Sequence, residues 1–351
     1  MHGQKVKTSS KRILLDRYSS KLGFFETEYG IKLIKDTFEE KLAKTLKLKR
    51  ITAPRFLITG TGLQDDLAGT QTPVSFKTKF SDKQIEIVHS LAKWKRHSLG
   101  KYKFSVGTGI YTDMDAIRKD EDVDETHSIY VDQWDWELVI RKEDRTIKFL
   151  KKIVKKIYYS ILDTEDVLSK QFPKLEKRLS KKIFFIHSEQ LERIYPKLTP
   201  KQREEEITKK YGAVFIIGIG YPLKTGLPHD VRASDYDDWI TKTELGRGLN
   251  GDIMVWDQTR KKALEISSMG IRVDKESLLK QLKHCGLEDS SELEFHKGII
   301  DEIAPLTIGG GIGQSRLCML LLQKKHIGEV QCSVWPEKHV ADMKKKGIKL
   351  L

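Results

Sequence analysis

An α+β fold is predicted by three observations. Apolar residues recur near helical spacing at Ile31, Leu33, Ile34, Phe38, Leu42 and Leu46, and again at Ile147, Leu150, Ile153, Val154, Ile157 and Ile161. Two segments read as strands: HSIYVDQWDWE, His127 to Glu137, alternates from face to face, and AVFIIGIG, starting at Ala213, is a buried central strand. TIGGGIGQSRLCMLLL, Thr307 to Leu322, passes from a glycine-saturated turn into an apolar helix with Arg316 on its first turn.

Composition narrows the class. The 351 residues suffice for one large domain or two ordinary ones, and 32% charged against 38% hydrophobic residues suits a globular chain. The formal charge of +14 is concentrated in the amino-terminal tail (Lys5, Lys7, Lys11, Arg12) and in lysine-rich helices between residues 142 and 182. Such a balance permits a polyanion partner, ATP or RNA. Cys285, Cys318 and Cys332 lack disulfide or metal spacing and point to a reducing compartment. The longest apolar segment, Ala213 to Ile219, is far below the roughly 20 residues a membrane span needs. Met1 to Ser10 is polar and carries no secretory signal, so a cytoplasmic protein without membrane contact is expected.

In chain order, residues 1–22 read as a basic, flexible extension and 23–351 as a single domain with a helical insertion at about 142–210. A long amphipathic helix, Phe24 to Leu46, leads into one short strand, LKRITAPRFLI, with Pro54 at its end. The polar loop TGTGLQDDLAG follows, with Asp65 and Asp66 at its middle. QIEIVHSLAKWKR starts as a strand and ends in a lysine-rich turn bearing Ser90, Lys93, Lys95 and Arg96. The segment from Phe104 to Arg118 is a strand entering a charged hairpin, and HSIYVDQWDWE is its return.

Alternation on that return strand puts Ser128, Tyr130, Asp132, Trp134 and Trp136 on one face and Ile129, Val131, Gln133, Asp135 and Glu137 on the other. Like carboxylates on one face repel, so a cationic or donor-rich group is expected opposite them. Farther on, Thr199-Pro200 with Gln202 three residues later forms a helix cap, DVRASDYDDW is an acidic loop, and NGDIMVWD is short and irregular. That stretch and ALEISSMGIRV bring Asp252, Glu265, Ser267, Ser268 and Arg272.

Generic nucleotide motifs do not fit: a dinucleotide fingerprint would need glycine at Gln314, and no P-loop Gly-Lys-Ser/Thr occurs. Six blocks, HSLAKWKR, HSIYVDQWDWE, DYDDW, GLNGDI, SSMGIRV and GGGIGQSRL, in this order resemble the ammonia-dependent asparagine synthetases, or aspartate-ammonia ligases. These are homodimeric relatives of the class II aminoacyl-tRNA synthetases. The resemblance implies a mainly antiparallel sheet flanked by helices, with the first helix, strand and proline at the dimer interface. It also implies conversion of L-aspartate, ATP and ammonia to L-asparagine, AMP and pyrophosphate through a β-aspartyl adenylate.

The same resemblance distributes the site residues. It places Arg118 on the α-phosphate and Arg316 over adenine and the triphosphate, the glycines opening a floor beneath the base. Arg272 stands near the phosphates and in the substrate set. Glu265, with Asp252, carries Mg2+. Ser128 and Tyr236 contact AMP, Ser267 joins the nucleotide set, and the role of Glu121 stays open. Around aspartate it puts Asp65, Ser90, Lys95, Gln133, Asp135, Asp237 and Ser268. Lysine and serine suit a carboxylate, whereas Asp65 and Gln133 suit an ammonium group or the incoming nitrogen. Asp65 and Asp237 are both candidates to accept the proton from ammonium. A tRNA partner is not expected, because too little chain precedes Pro54 for an anticodon-reading barrel. Nor is glutamine expected as donor, since residue 2 is His2 rather than a nucleophilic cysteine.

Overall fold

Residues 18–67 and 71–351 are described in the computed structural model; the expected basic extension therefore lies, for residues 1–17, outside the described residues. Its last part docks: Tyr18 donates to Glu329 at 3.1 Å and Leu22 joins the core. Helix α1 (Phe24–Leu46) starts where the Glu26 carboxylate accepts from the Gly23 amide, and it ends at Lys47 in a left-handed turn. Ile34, Phe38, Leu42 and Leu46, four residues apart, form its buried stripe.

The single strand expected around Pro54 is two strands in different sheets, β1 (Leu48–Arg50) and β2 (Phe56–Ile58). Proline lacks the amide needed to continue a ladder, so the chain leaves one sheet before it and enters the other after it. β3 (Ser75–Thr78) and β4 (Ser81–Ile87) complete the small sheet, in the order β2-β4-β3. The lysine-rich turn expected next is instead a helix, α2 (Ala92–Lys101), with Lys93, Lys95 and Arg96 buried. Each of the three finds an acceptor inside the protein, which is what allows so basic a segment to leave solvent.

β5 (Gly109–Ile117) and β6 (Tyr130–Val139) form the expected hairpin. The segment 142–210 holds α3 (Ile147–Gln171), β7 (Phe184–His187), α4 (Ser188–Ile194) and α5 (Pro200–Tyr211), so it contributes an edge strand of the main sheet as well as helices. Thr199 caps α5, its hydroxyl accepting from the Gln202 amide while Gln202 reaches back to the Thr199 amide. Thr199→Ala is expected to lower stability by about 1 kcal/mol in urea unfolding with the fold retained.

β8 (Ala213–Ile217) is fully buried. The stretch expected to be irregular, NGDIMVWD, is a regular strand, β9 (Asn250–Asp257), because its Asn-Gly pair lies inside the ladder rather than at a turn. β10 (Lys262–Ile271), α6 (Lys275–Cys285), α7 (Glu294–Ile300), β11 (Thr307–Gly313), α8 (Gln314–Leu321) and α9 (Glu337–Lys346) follow. Gly309, Gly310 and Gly311 thus stand within a strand, not on the expected turn.

The main sheet runs β1-β5-β6-β11-β10-β9-β8-β7, antiparallel throughout its interior and parallel only in the outermost pairs β1–β5 and β7–β8. Trp134 and Trp136 of β6 point toward α1, where Phe38 meets Trp134 with ring centroids 4.7 Å apart, and α3 and α8 complete that apolar layer. The opposite face of β6 carries the carboxylates, and α2 lies across it. No described helix is long and apolar enough to cross a membrane.

Candidate active site

Over the middle of the sheet, on the carboxylate face, opens a cavity of about 320 Å³. Its floor is built by β6 and β11. Gln133, Asp135 and Glu137 of β6 stand in register with Gly313, Gly311 and Gly309 of β11. The expected counter-charges are there. Lys95, from α2, places its ammonium 3.4 Å from Asp135 and donates to the Gly310 carbonyl at 2.9 Å. The other Asp135 oxygen accepts from the Leu91 amide at 3.1 Å, so the start of α2 is pinned to the floor. Burial pushes the Lys95 ammonium below the usual lysine range, against the pull of Asp135.

Arg272, just beyond β10, is the floor's other cation and is 2% exposed. It donates to Glu137 through Nε at 3.0 Å and Nη2 at 2.8 Å, and to Asp237 through Nη1. Burial alone would raise the Glu137 carboxyl, but the adjoining guanidinium outweighs it and holds the group below its ordinary value. For Asp237 the balance is reversed: burial wins over Arg272 and raises the carboxyl.

The glycines of β11 are required by these neighbours. A methyl on Gly309 would stand 1.8 Å from Glu137 Oε2, and one on Gly311 would stand 2.2 Å from Gln133 Oε1 and 2.7 Å from Asp135. Gly309→Ala, where Arg272 pins Glu137, is expected to cost about 1–3 kcal/mol of stability in urea unfolding; Gly311→Ala should cost less, because the Gln133 side chain is free to swing aside. Unchanged stability of Gly309→Ala would show that the Glu137 carboxylate does not lie over β11.

The other end of the cavity carries two arginines with charge to spare. Arg118, following β5, donates Nη2 to the His89 carbonyl at 3.2 Å, and its buried Nε has no partner among the described residues. Arg316, on the first turn of α8, donates to the Glu265 and Thr126 carbonyls at 3.2 and 3.4 Å, with the Glu265 carboxylate 3.8 Å away. Neither is closed into a bidentate pair, so both guanidiniums can receive an anion. Ser128 lines this end and donates to Ser333 at 2.6 Å.

Asp65, Ser90, Tyr236, Asp237, Ser268 and Glu265 also line the cavity. The Ser90 hydroxyl and the Leu67 amide both donate to the Asp65 carboxylate, the latter at 2.8 Å. The Gln133 side chain makes no hydrogen bond among the described residues, leaving its carboxamide available. Two expected site residues are not on the wall. A bulge between Glu265 and Ser267 shifts the alternation of β10, so Ser268 faces the cavity while Ser267 is buried. Asp252, opposite Ser268 on β9, is covered by Arg232, which donates to one of its oxygens. The other oxygen, Oδ1, is buried without a partner among the described residues, and burial pushes the group up to about 7.

A family model for aspartate-ammonia ligase matches residues 25–347. The chain is 52% identical to the aspartate-ammonia ligase of Parabacteroides distasonis over 95% of its own length and 97% of that protein's. It is 50% identical to that of Clostridium tetani over 99% of both. The chain belongs to the aspartate-ammonia ligase family.

Among solved structures it is similar to asparaginyl-tRNA synthetase of Pyrococcus horikoshii in complex with asparaginyl-adenylate, with a TM-score of 0.65 and 14% identity over 88% of this chain and 70% of that one. Aspartyl-tRNA synthetase of Entamoeba histolytica gives 0.57 and 15% over 87% and 57%. These likenesses show the fold, a class II synthetase catalytic domain. One cavity residue outside the expected set is Arg232. It is the one cation inside the acidic block DVRASDYDDW, and that isolation is the signal that could have found it. Lys93, Asp235 and His296, a buried ionic cluster behind the wall, had no comparable mark.

Proposed function

We propose that this member of the aspartate-ammonia ligase family makes L-asparagine from L-aspartate and ammonia, with ATP cleaved to AMP and pyrophosphate through a β-aspartyl adenylate. One observation carries the reading: a single cavity joins an anion-receptive end, Arg118 and Arg316, to an end of alternating carboxylates and cations, Asp65, Asp135 and Asp237 with Lys95 and Arg272.

A carboxylate resists amide formation because its oxygen is a poor leaving group. In the first step a β-carboxylate oxygen of aspartate attacks the α-phosphorus of ATP, the bond to the bridging oxygen breaks, and pyrophosphate departs. Arg118 and Arg316 stabilise the charge that grows on the α-phosphate, being fixed beforehand by carbonyls. Lys95 and Ser90 receive the α-carboxylate, and Asp135 and Gln133 the amino group. In the second step ammonia attacks the acyl carbon and AMP leaves. A cavity carboxylate, Asp65 or Asp237, takes the surplus proton. Tyr236 and Ser128 border the AMP moiety.

The donor set near the nucleotide end suits magnesium: Glu265 and Asp252 lie on neighbouring strands, and Asp252, bonded to Arg232 through one oxygen, has the other buried without a partner among the described residues. Bound there, Mg2+ would offset phosphate charge. The enzyme works as a homodimer in the cytoplasm; exposed Phe56, Ile58 and Phe76 on the small sheet, with Phe80 in its β3–β4 turn, give a second copy an apolar surface. Light scattering would test the dimer.

The function itself is tested by supplying aspartate and ATP with either ammonium or glutamine. Asparagine, AMP and pyrophosphate in equal amounts with ammonium are expected. ADP as product, or turnover with glutamine alone, would contradict the reading. Aspartyl-tRNA formation is not expected: near-full-length identity of about half is to ligases, whereas the synthetase likeness is one of fold.

A further inference from the structure

The aspartate end of the cavity is bounded by two loops: residues 59–67, carrying Asp65, and residues 229–239, carrying Tyr236 and Asp237. Beside each of these wall residues stands a second carboxylate, Asp66 and Asp235, neither of which lines the cavity. Both reach one cation instead. Lys93 of α2, with its side chain 2% exposed, holds its ammonium 2.7 Å from Asp235 and 3.7 Å from Asp66. Asp235 is bonded a second time, to His296 Nε2 of α7 at 3.0 Å. The start of α7 touches the first loop as well, the Phe295 amide donating to the Thr61 carbonyl at 3.4 Å. Two positions along α2 from Lys93, Lys95 faces the floor of the same cavity.

A lysine is almost never this buried unless it is paired, and the carboxylates that pair Lys93 come one from each loop. The reaction as derived makes no use of Lys93, which does not line the cavity. We propose that Lys93 is a positioning residue for aspartate: by engaging Asp66 and Asp235 together it sets the separation of the two loops. It thereby sets the distance of Asp65 from Tyr236 and Asp237. This rests on the reading of the cavity as an aspartate site. Lys95 fixes the floor and Lys93 the walls, so a single helix locates three sides of the pocket. The nucleotide end is held chiefly by β5, β10 and α8, and of the residues placed there only Tyr236 and Arg232 come from a loop that Lys93 touches.

The test is Lys93→Met, which keeps the apolar stem and leaves Asp235 its histidine, with Lys93→Arg as the conservative variant. A misplacement of about 1 Å can reduce rates about 10²-fold, and KM for aspartate is expected to rise roughly 10- to 100-fold. KM for ATP should rise far less than KM for aspartate, and Lys93→Arg should recover most of the loss. A purely structural role would lower the melting temperature of Lys93→Met and leave KM for aspartate where it was, which would overturn the inference. Should Lys93→Met fail to fold, Asp66→Asn decides, since that side chain is 79% exposed and tolerates the change. A raised KM for aspartate supports the latch and an unaltered one overturns it. If wild-type protein makes no asparagine, the reading of the site falls and the inference with it; an active wild type with unaltered variants removes the inference alone.

Discussion

Arg272→Met is expected to destabilise the protein by about 3–5 kcal/mol, because it leaves two buried carboxylates, Glu137 and Asp237, without their shared cation. The measurement is urea unfolding at neutral pH. Removing the acids together with the base, as Arg272→Met with Glu137→Leu and Asp237→Asn, should recover most of that stability while asparagine formation stays absent. The contrast separates the ionic triad's cost from its use. The sign with pH also follows. Burial works to raise the Glu137 carboxyl and Arg272 overcomes it, so its folded value is below its unfolded one. Its stabilisation is complete above the ordinary carboxylate range and is lost as pH falls through the depressed value. A protein whose stability is independent of Arg272 would show that the triad is not closed in solution.

The second large effect is on chemistry alone. Arg316→Ala and Arg118→Ala should each reduce aspartate-dependent pyrophosphate exchange by about 10²–10³-fold. Folding should be nearly unaffected, because each side chain is bonded mainly to carbonyls and neither closes a buried ion pair. Exchange at the wild-type rate in either variant would remove that arginine from the account. Loss of fold in Arg316→Ala would mean that its bonds to Glu265 and Thr126 carry stability the geometry does not suggest.

Strand β6 was the most legible part of the chain, since alternation alone separates Trp134 and Trp136 from Gln133, Asp135 and Glu137, and each set meets the kind of neighbour its chemistry asks for. At β10 the resemblance brings both Ser267 and Ser268 to the site, and one bulge turns only Ser268 to the cavity; a bulge leaves no mark in composition. Helix α2 was hidden for a different reason. Lysines are read as solvated, and only the three-dimensional arrangement supplies the acceptors that let Lys93, Lys95 and Arg96 be buried. The glycines of β11 were noticed but misplaced. What needs the space above Gly309 and Gly311 includes side chains of the neighbouring strand, a register relation that no local window contains. Asp252 was found as a carboxylate but its cover, Arg232, was not, because the two are 20 residues apart and meet only across the fold.

The central claim is that the aspartate β-carboxylate and the α-phosphorus of ATP meet in this one cavity. Aspartate carrying ¹⁸O in its β-carboxylate tests it directly, with AMP analysed by mass spectrometry after turnover with ammonium. One labelled oxygen is expected in each AMP. Label in inorganic phosphate, or unlabelled AMP, would contradict it.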